Sequence, residues 1–321
     1  MINIKTALTL QLLSLLFSLQ TFAFPEKWVY LMKGEERFFP ANAPITDVAC
    51  FCAKVDGDGH LKGGHLQPPK LKTTQSNLRY HLVVTIPWNA DLAHIYLNPK
   101  LPFRNQIISD IVQRSKPFDG VQIDFEGIKA ADGTAYINFL AAVKKALPQS
   151  KIFSVAVMAR WASHKKKHPR DAYDYPFISL FADRVIVMAY DEHYSGSNPG
   201  SMASLPWCKK IYDYATKTIP AKKLIMGIPL YGRAWQKPSF AHSYKNSQIQ
   251  KEIQKRGVSV STNPETGGHY RFKETVMVNV HYETLSSLKA KLTLYSQRKI
   301  QGIACWRISQ EPKGFWESLS P

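Results

Sequence analysis

Acid, cysteine and long apolar runs are all scarce in this chain of 321 residues. Its 24 Asp and Glu face 42 Lys and Arg, leaving a formal charge of +18 and a pI of about 9.6. Only four cysteines are present (Cys50, Cys52, Cys208, Cys305), and the ten histidines are scattered without zinc-ligand spacing. His164 and His168, at helical spacing, fall in a basic loop, so no metal site is expected. Asp56-Gly57-Asp58-Gly59-His60 resembles half of a calcium loop but lacks the downstream glycine and glutamate in register, so it is read as a turn. No apolar run is long enough to span a bilayer as a helix, which argues against an integral membrane protein. No glycine-rich phosphate turn follows the first candidate strand, which argues against a dinucleotide-binding open sheet. Neither an internal repeat nor a low-complexity linker appears, so one large domain is expected.

What is present begins with an export pattern. Residues 1–23 combine Lys5, an apolar segment from Ala7 to Leu19, and a small residue at Ala23, the features of a cleaved secretory signal. The mature chain, 24–321, then loses only one positive charge and stays strongly basic. Such charge attracts nucleic acid, anionic membranes or anionic wall polymers, and for an exported protein the wall outranks nucleic acid. The densest cluster, Lys165-Lys166-Lys167-His168-Pro169-Arg170, is read as a solvated loop. Export permits disulfides, though Cys50 and Cys52 share one strand face and are not expected to pair with each other.

Hydrophobic content of 45% and aromatic content of 12% suffice for a substantial core. Eight strand-like segments recur: Lys27–Met32, Asp47–Lys54, Tyr80–Ile86, Gly120–Glu126, Lys151–Met158, Arg184–Tyr190, Lys223–Pro229 and Gly302–Arg307. Amphipathic segments lie between several of them: Arg104–Arg114, Thr134–Leu147, Trp207–Thr218 and Glu283–Arg298. Near-continuous apolar strands alternating with helices predict an α/β fold, a closed (β/α)8 barrel of the TIM type. The stretch from Ala234 to Tyr282 is too long for one connection. With a helix expected over Gln248–Arg256, it is read as a small α+β insertion after the seventh strand, on the active-site side.

The fourth strand carries the sharpest signal. In Phe118-Asp119-Gly120-Val121-Gln122-Ile123-Asp124-Phe125-Glu126, apolar Val121, Ile123 and Phe125 alternate with Gln122, Asp124 and Glu126. Period two puts those polar groups on one face. Buried acids are costly unless paired or used chemically, and two neighbouring carboxyls disfavour each other's ionisation. One of Asp124 and Glu126 is therefore expected to hold a proton near neutral pH, as a general acid must. In such a barrel the chemistry sits at the C-terminal ends of the strands, and Glu126, Tyr190, Asp191, Tyr231, Arg233 and Trp306 all fall there.

These residues resemble glycoside hydrolase family 18, whose fourth-strand signature reads Asp-Gly-x-Asp-x-Asp-x-Glu. Met188-Ala189-Tyr190-Asp191, Gly227–Trp235 and Gly302-Ile303-Ala304-Cys305-Trp306 resemble further pieces of the family in the same order. Gln122 stands where the pattern has its second Asp. With Tyr190–Gly200, that amide makes the chain similar to the bacterial spore-cortex and cell-wall N-acetylglucosaminidase branch.

The resemblance implies retaining, substrate-assisted hydrolysis without a cofactor or metal. Glu126 would be the acid and base, Asp124 would orient the substrate's 2-acetamido group, and Tyr190 would hydrogen-bond its oxygen. Asp191, Trp306, Gln122, Asp119, Met188, Tyr231 and Arg233 would form or support the sugar subsite, with Trp306 as its apolar floor. Gln122 cannot titrate, so Asp124 is expected to remain anionic and hydrogen-bonded to it. The implied partner is an N-acetylglucosamine-containing glycan, peptidoglycan ahead of chitin, acted on by a monomer. A non-catalytic lectin on the same barrel is the alternative outside enzymes. It is disfavoured because catalytically dead relatives lack the acid that Glu126 supplies. Nucleic-acid binding rests on charge alone.

Overall fold

A computed structural model describes residues 22–163, 172–236, 241–273 and 277–319. The export segment up to Thr21, the pair His164 and His168, and the cluster Lys165–Arg170 therefore lie outside the described residues.

Eight parallel strands close into a barrel: β1 (Glu26–Met32), β2 (Asp47–Val55), β4 (Arg79–Thr85), β5 (Gly120–Asp124), β6 (Ile152–Met158), β7 (Arg184–Met188), β8 (Leu224–Pro229) and β14 (Gly302–Trp306). Each pairs with its neighbours in chain order. β1 pairs with both β14 and β2, Trp28 opposite Ala304 and Asp47, and this closes the ring. A two-residue strand β3 (Leu61–Lys62) folds back on β2 around the Asp56–His60 turn. There the Asp56 carboxylate accepts the Asp58 and His60 backbone N–H groups at 3.0 and 2.9 Å, the bonding of an Asx turn.

Helices α2 (Pro102–Arg114), α3 (Gly133–Ala146), α5 (Leu205–Thr218) and α7 (Leu285–Ser296) match the expected segments to within two residues at each end. Two shorter helices were not legible: α1 (Ala90–Leu97) and α4 (Tyr175–Phe181). Eight and seven residues give too few turns for a clear period. Their starts carry local signals all the same. Asn89 accepts the Asp91 and Leu92 N–H groups, and Asp174 accepts that of Phe177.

Two apolar layers follow from strand alternation. Val121, Ile123 and Phe125 face the helices within the large core, where Phe125 stacks on Phe139 at 5.3 Å. Trp28, Tyr30, Ala49, Val83, Ile186, Ile225 and Ala304 fill the barrel's interior. The four cysteines are free, so none of the disulfides that export would permit is formed.

A second, antiparallel sheet stands on the segment after β8. It comprises β9 (Gly232–Gln236), β10 (His242–Tyr244), β11 (Ser261–Asn263), β12 (Gly267–Lys273) and β13 (Met277–Tyr282), in the order β10-β9-β13-β12-β11. Helix α6 (Asn246–Arg256) buries Ile249 against Ala234, Tyr270, Val278, Val280 and Tyr282. This unit starts two residues earlier than the pattern suggested. Among the described residues no helix is long and apolar enough to cross a membrane.

Candidate active site

A cavity of about 560 Å³ opens at the C-terminal ends of the barrel strands. Asp124, the last residue of β5, and Glu126, two residues on, line its base. The strand stops short of the expected Glu126, and Gly127 at φ 74° turns the chain away at once. Glu126 is thus carried on the strand-to-loop turn rather than inside the sheet. The Tyr173 hydroxyl donates to the Phe125 carbonyl and pins the backbone between the two acids.

Asp124 is buried, and its Oδ1 has no hydrogen-bond partner among the described residues. Burial pushes its carboxyl up to about 7. Burial also raises Glu126, to about 8, with the charges of Asp124 and Asp191 adding to the effect. The pair therefore keeps a proton at neutral pH, as the alternation of β5 implied.

Tyr190, Met188 and Asp191 reach the cavity from the end of β7. Gly227 makes room for the Tyr190 ring, since a Cβ there would lie 2.8 Å from it. Asp191 sits in the left-handed region at φ 60° and is held from two sides. Arg233 donates to its Oδ1 from Nη2 at 2.7 Å and from Nε at 3.2 Å, and the Tyr231 hydroxyl donates to the same oxygen. Trp306, ending β14, packs against Tyr30 at 5.0 Å and edge-on to Phe51 at 4.8 Å. One indole face region is thereby left to line the cavity.

Two expected residues lie elsewhere. Asp119 precedes β5 at the opposite end of the barrel, where its carboxylate accepts the Tyr80 N–H at 2.7 Å. It closes the strand start and does not line the cavity. Gln122, fully buried one inward position below Asp124, does not reach the cavity either. Its Oε1 accepts the Tyr30 hydroxyl at 2.7 Å and its Nε2 reaches Ser154 Oγ at 3.5 Å. The expected bond from Gln122 to an anionic Asp124 is thus replaced by one to Tyr30, and Asp124 is left to be raised by burial.

Other lining residues escaped sequence reasoning. Met158 ends its strand, so the strand-end rule that found Trp306 would have found it, whereas Phe51 lies mid-strand in β2, where the register with β4 shifts between Cys50 and Ala53. Trp207, Ser243, Lys245, Gln248, Arg307 and Gln310 come from a helix, the second sheet's unit and a loop, and nothing in the residue pattern directs them to the cavity.

A closed parallel barrel, with a proton-holding carboxyl pair at its C-terminal rim beside an indole floor, suits acid–base chemistry on a sugar, and the family match makes the chain a glycoside hydrolase. The sequence profile of Glycosyl hydrolases family 18 matches residues 100–311, and the chain belongs to that family. It is 31% identical to the uncharacterized glycosylase YvbX of Bacillus subtilis over 87% of this chain and 83% of the relative. It is 26% identical to the cortical fragment-lytic enzyme of Bacillus anthracis, over 87% and 68% of the two chains. Among solved structures, the Bacillus cereus spore cortex-lytic enzyme SleL superimposes with a TM-score of 0.77 at 25% identity, covering 92% of this chain and 73% of that one. A chitinase from Chromobacterium violaceum gives 0.79 at 21% identity, covering 92% and 98%, and shares the fold.

Proposed function

We propose that the protein cleaves β-1,4 bonds of N-acetylglucosamine-containing glycans with retention, by substrate-assisted catalysis, and that peptidoglycan is its substrate. The observation that carries the mechanism is the carboxyl pair: Glu126, whose carboxyl burial and the neighbouring acids raise, beside a buried Asp124 whose Oδ1 is unpartnered among the described residues. Glu126 donates its proton to the glycosidic oxygen as the bond to the anomeric carbon breaks. The substrate's acetamido oxygen attacks that carbon, and Asp124 accepts the acetamido N–H as positive charge develops on the ring being formed. Tyr190 donates to the acetamido oxygen. The Glu126 carboxylate then takes a proton from the water that opens the intermediate. Trp306 supplies the apolar floor, Met188 fills beside it, and Tyr231 and Arg233 hold Asp191 rigid against the sugar. Gln122 acts one layer down, by holding Tyr30 beneath the floor.

Support for peptidoglycan is the kinship with cortical fragment-lytic enzymes and the charge of +18, which suits an anionic polymer. The segment at residues 1–23 supports export of a monomeric enzyme to the periplasm, wall or medium. Chitooligosaccharides are the second reading, favoured by 27% identity to Endochitinase 1 of Metarhizium robertsii over 61% of this chain. Digesting purified peptidoglycan and colloidal chitin side by side, with borohydride reduction and mass spectrometry, separates the two. Muropeptides with a reduced N-acetylglucosamine end, absent with Glu126→Gln, are expected. Chitooligosaccharides alone would transfer the activity to chitin.

A further inference from the structure

One wall of the cavity carries an ion cluster that the mechanism does not use. Lys245, just before α6, and Arg307, next to Trp306, both line the cavity. Glu35, from the loop after β1, faces both cations. Its Oε1 lies 3.1 Å from Arg307 Nη2 and 3.6 Å from Lys245 Nζ. A single oxygen therefore serves two cations, and neither is fully matched. Lys245 Nζ also donates to Ser309 Oγ at 2.9 Å and stands 5.0 Å from the centre of the Phe38 ring. Arg307 Nε is buried without a partner among the described residues. Among the described residues, the other cation lining the cavity, Arg233, is neutralised by Asp191 at 2.7 Å. Two cations against one carboxylate leave this wall with a unit of positive charge, one residue from the indole floor.

We propose that Lys245 and Arg307 are specificity-determining residues that bind a carboxylate on a sugar flanking the reacting N-acetylglucosamine. This rests on reading the site as a hydrolase of N-acetylglucosamine glycans. In a strand alternating with N-acetylmuramic acid, each neighbour of the reacting sugar carries a 3-O-lactyl ether. Its carboxylate is free where the stem peptide has been removed. Where the stem remains, that carboxyl is an amide and the free carboxylates belong to the peptide. Chitin offers neither. A carboxylate bound between an ammonium and a guanidinium makes charge-assisted bonds, and these weaken as salt is added.

The test measures binding by calorimetry in the Glu126→Gln background, so that no probe is consumed. The probes are a stem-free glucosaminyl-muramyl tetrasaccharide, its stem-bearing counterpart, the stem-free form with its lactyl carboxyls converted to methylamides, and chitotetraose. Carboxylate-bearing probes are expected to bind more tightly than the two neutral ones. Adding Lys245→Gln, at a partly exposed position, should narrow that preference about tenfold. Adding Glu35→Gln, which releases both cations, should widen it. Preference for the stem-free probe assigns the site to the lactyl carboxylate, and preference for the stem-bearing probe assigns it to the peptide. Neutral and anionic probes binding equally, or a preference that neither change alters, overturns the proposal while leaving the hydrolase reading intact. Failure of all four probes to bind overturns both.

Discussion

The two ends of the barrel bury carboxyl groups with opposite consequences. At the N-terminal end, Glu26 and Asp47 are almost fully buried, as Asp124 is at the other end. Yet Arg184 meets Glu26 at 2.7 Å, Arg79 bridges Glu26 and Asp47 at 2.9 and 2.7 Å, and His81 reaches Asp47 at 2.7 Å. Burial alone would raise both acids, but these partners outweigh it and hold both below their ordinary values. At the C-terminal end no cation among the described residues offsets the burial of Asp124 or Glu126, and both are raised. Depth does not separate the structural acids from the chemical ones. What separates them is whether a cation is built in beside them.

The largest expected effect tests the unpaired end. Glu126→Gln should lower kcat by about 10²–10⁴-fold with an unchanged circular dichroism spectrum, since it removes the transferable proton alone. Asp124→Asn should cost about 10²–10³-fold in kcat, measured on the same glycan, while Tm holds or rises because an unpartnered buried carboxyl is replaced by an amide. The matching change at the other end, Asp47→Asn, inverts that outcome. It leaves His81 without its carboxylate and Arg79 with Glu26 alone, and should cost about 3 kcal/mol in chemical denaturation.

Stability against pH sharpens the contrast further. Glu26 and Asp47, held low, contribute stability that is complete above the unfolded carboxylate range and lost as pH falls through their folded values. Asp124 and Glu126, held high, favour the fold most in acid. That contribution declines as pH rises from their ordinary values of 3.8 and 4.5 through about 7 and about 8. Between about pH 5 and pH 9, the melting temperature of Glu126→Gln should therefore fall less than that of the wild type, by about 2–4 °C. Equal falls would show that the upper end does not hold its protons. The rate should peak where the pair shares one proton, between the two apparent values. The smallest effect belongs to Gln122→Asp. Its partner is Tyr30 rather than Asp124, so the loss of kcat should stay within about tenfold, accompanied by a shift of the pH optimum.

Much of this architecture was legible in the residue pattern, for reasons that differ from element to element. The barrel strands could be read because most are near-continuous in apolar residues and bounded by turns, and in the fourth, period two already put Asp124 and Glu126 together. Helices α1 and α4 were missed because so few turns leave no clear repeat. Asp119 and Gln122 were misassigned because proximity in sequence to a catalytic strand does not tell which end, or which layer, a side chain serves. Asp119 lies at the strand's start, and Gln122 is one inward step too deep.

By itself, then, the sequence determined the family, the eight-strand order and the identity of the acid pair, since these depend on local period and on residues a few positions apart. Only the tertiary structure decided which buried acids are neutralised by a cation and which are left without one among the described residues. Arg79, Arg184 and His81 come to Glu26 and Asp47 from distant parts of the chain, just as Lys245 and Arg307 come to Glu35. Electrostatic state depends on distances across the folded barrel, and no spacing along the chain encodes them.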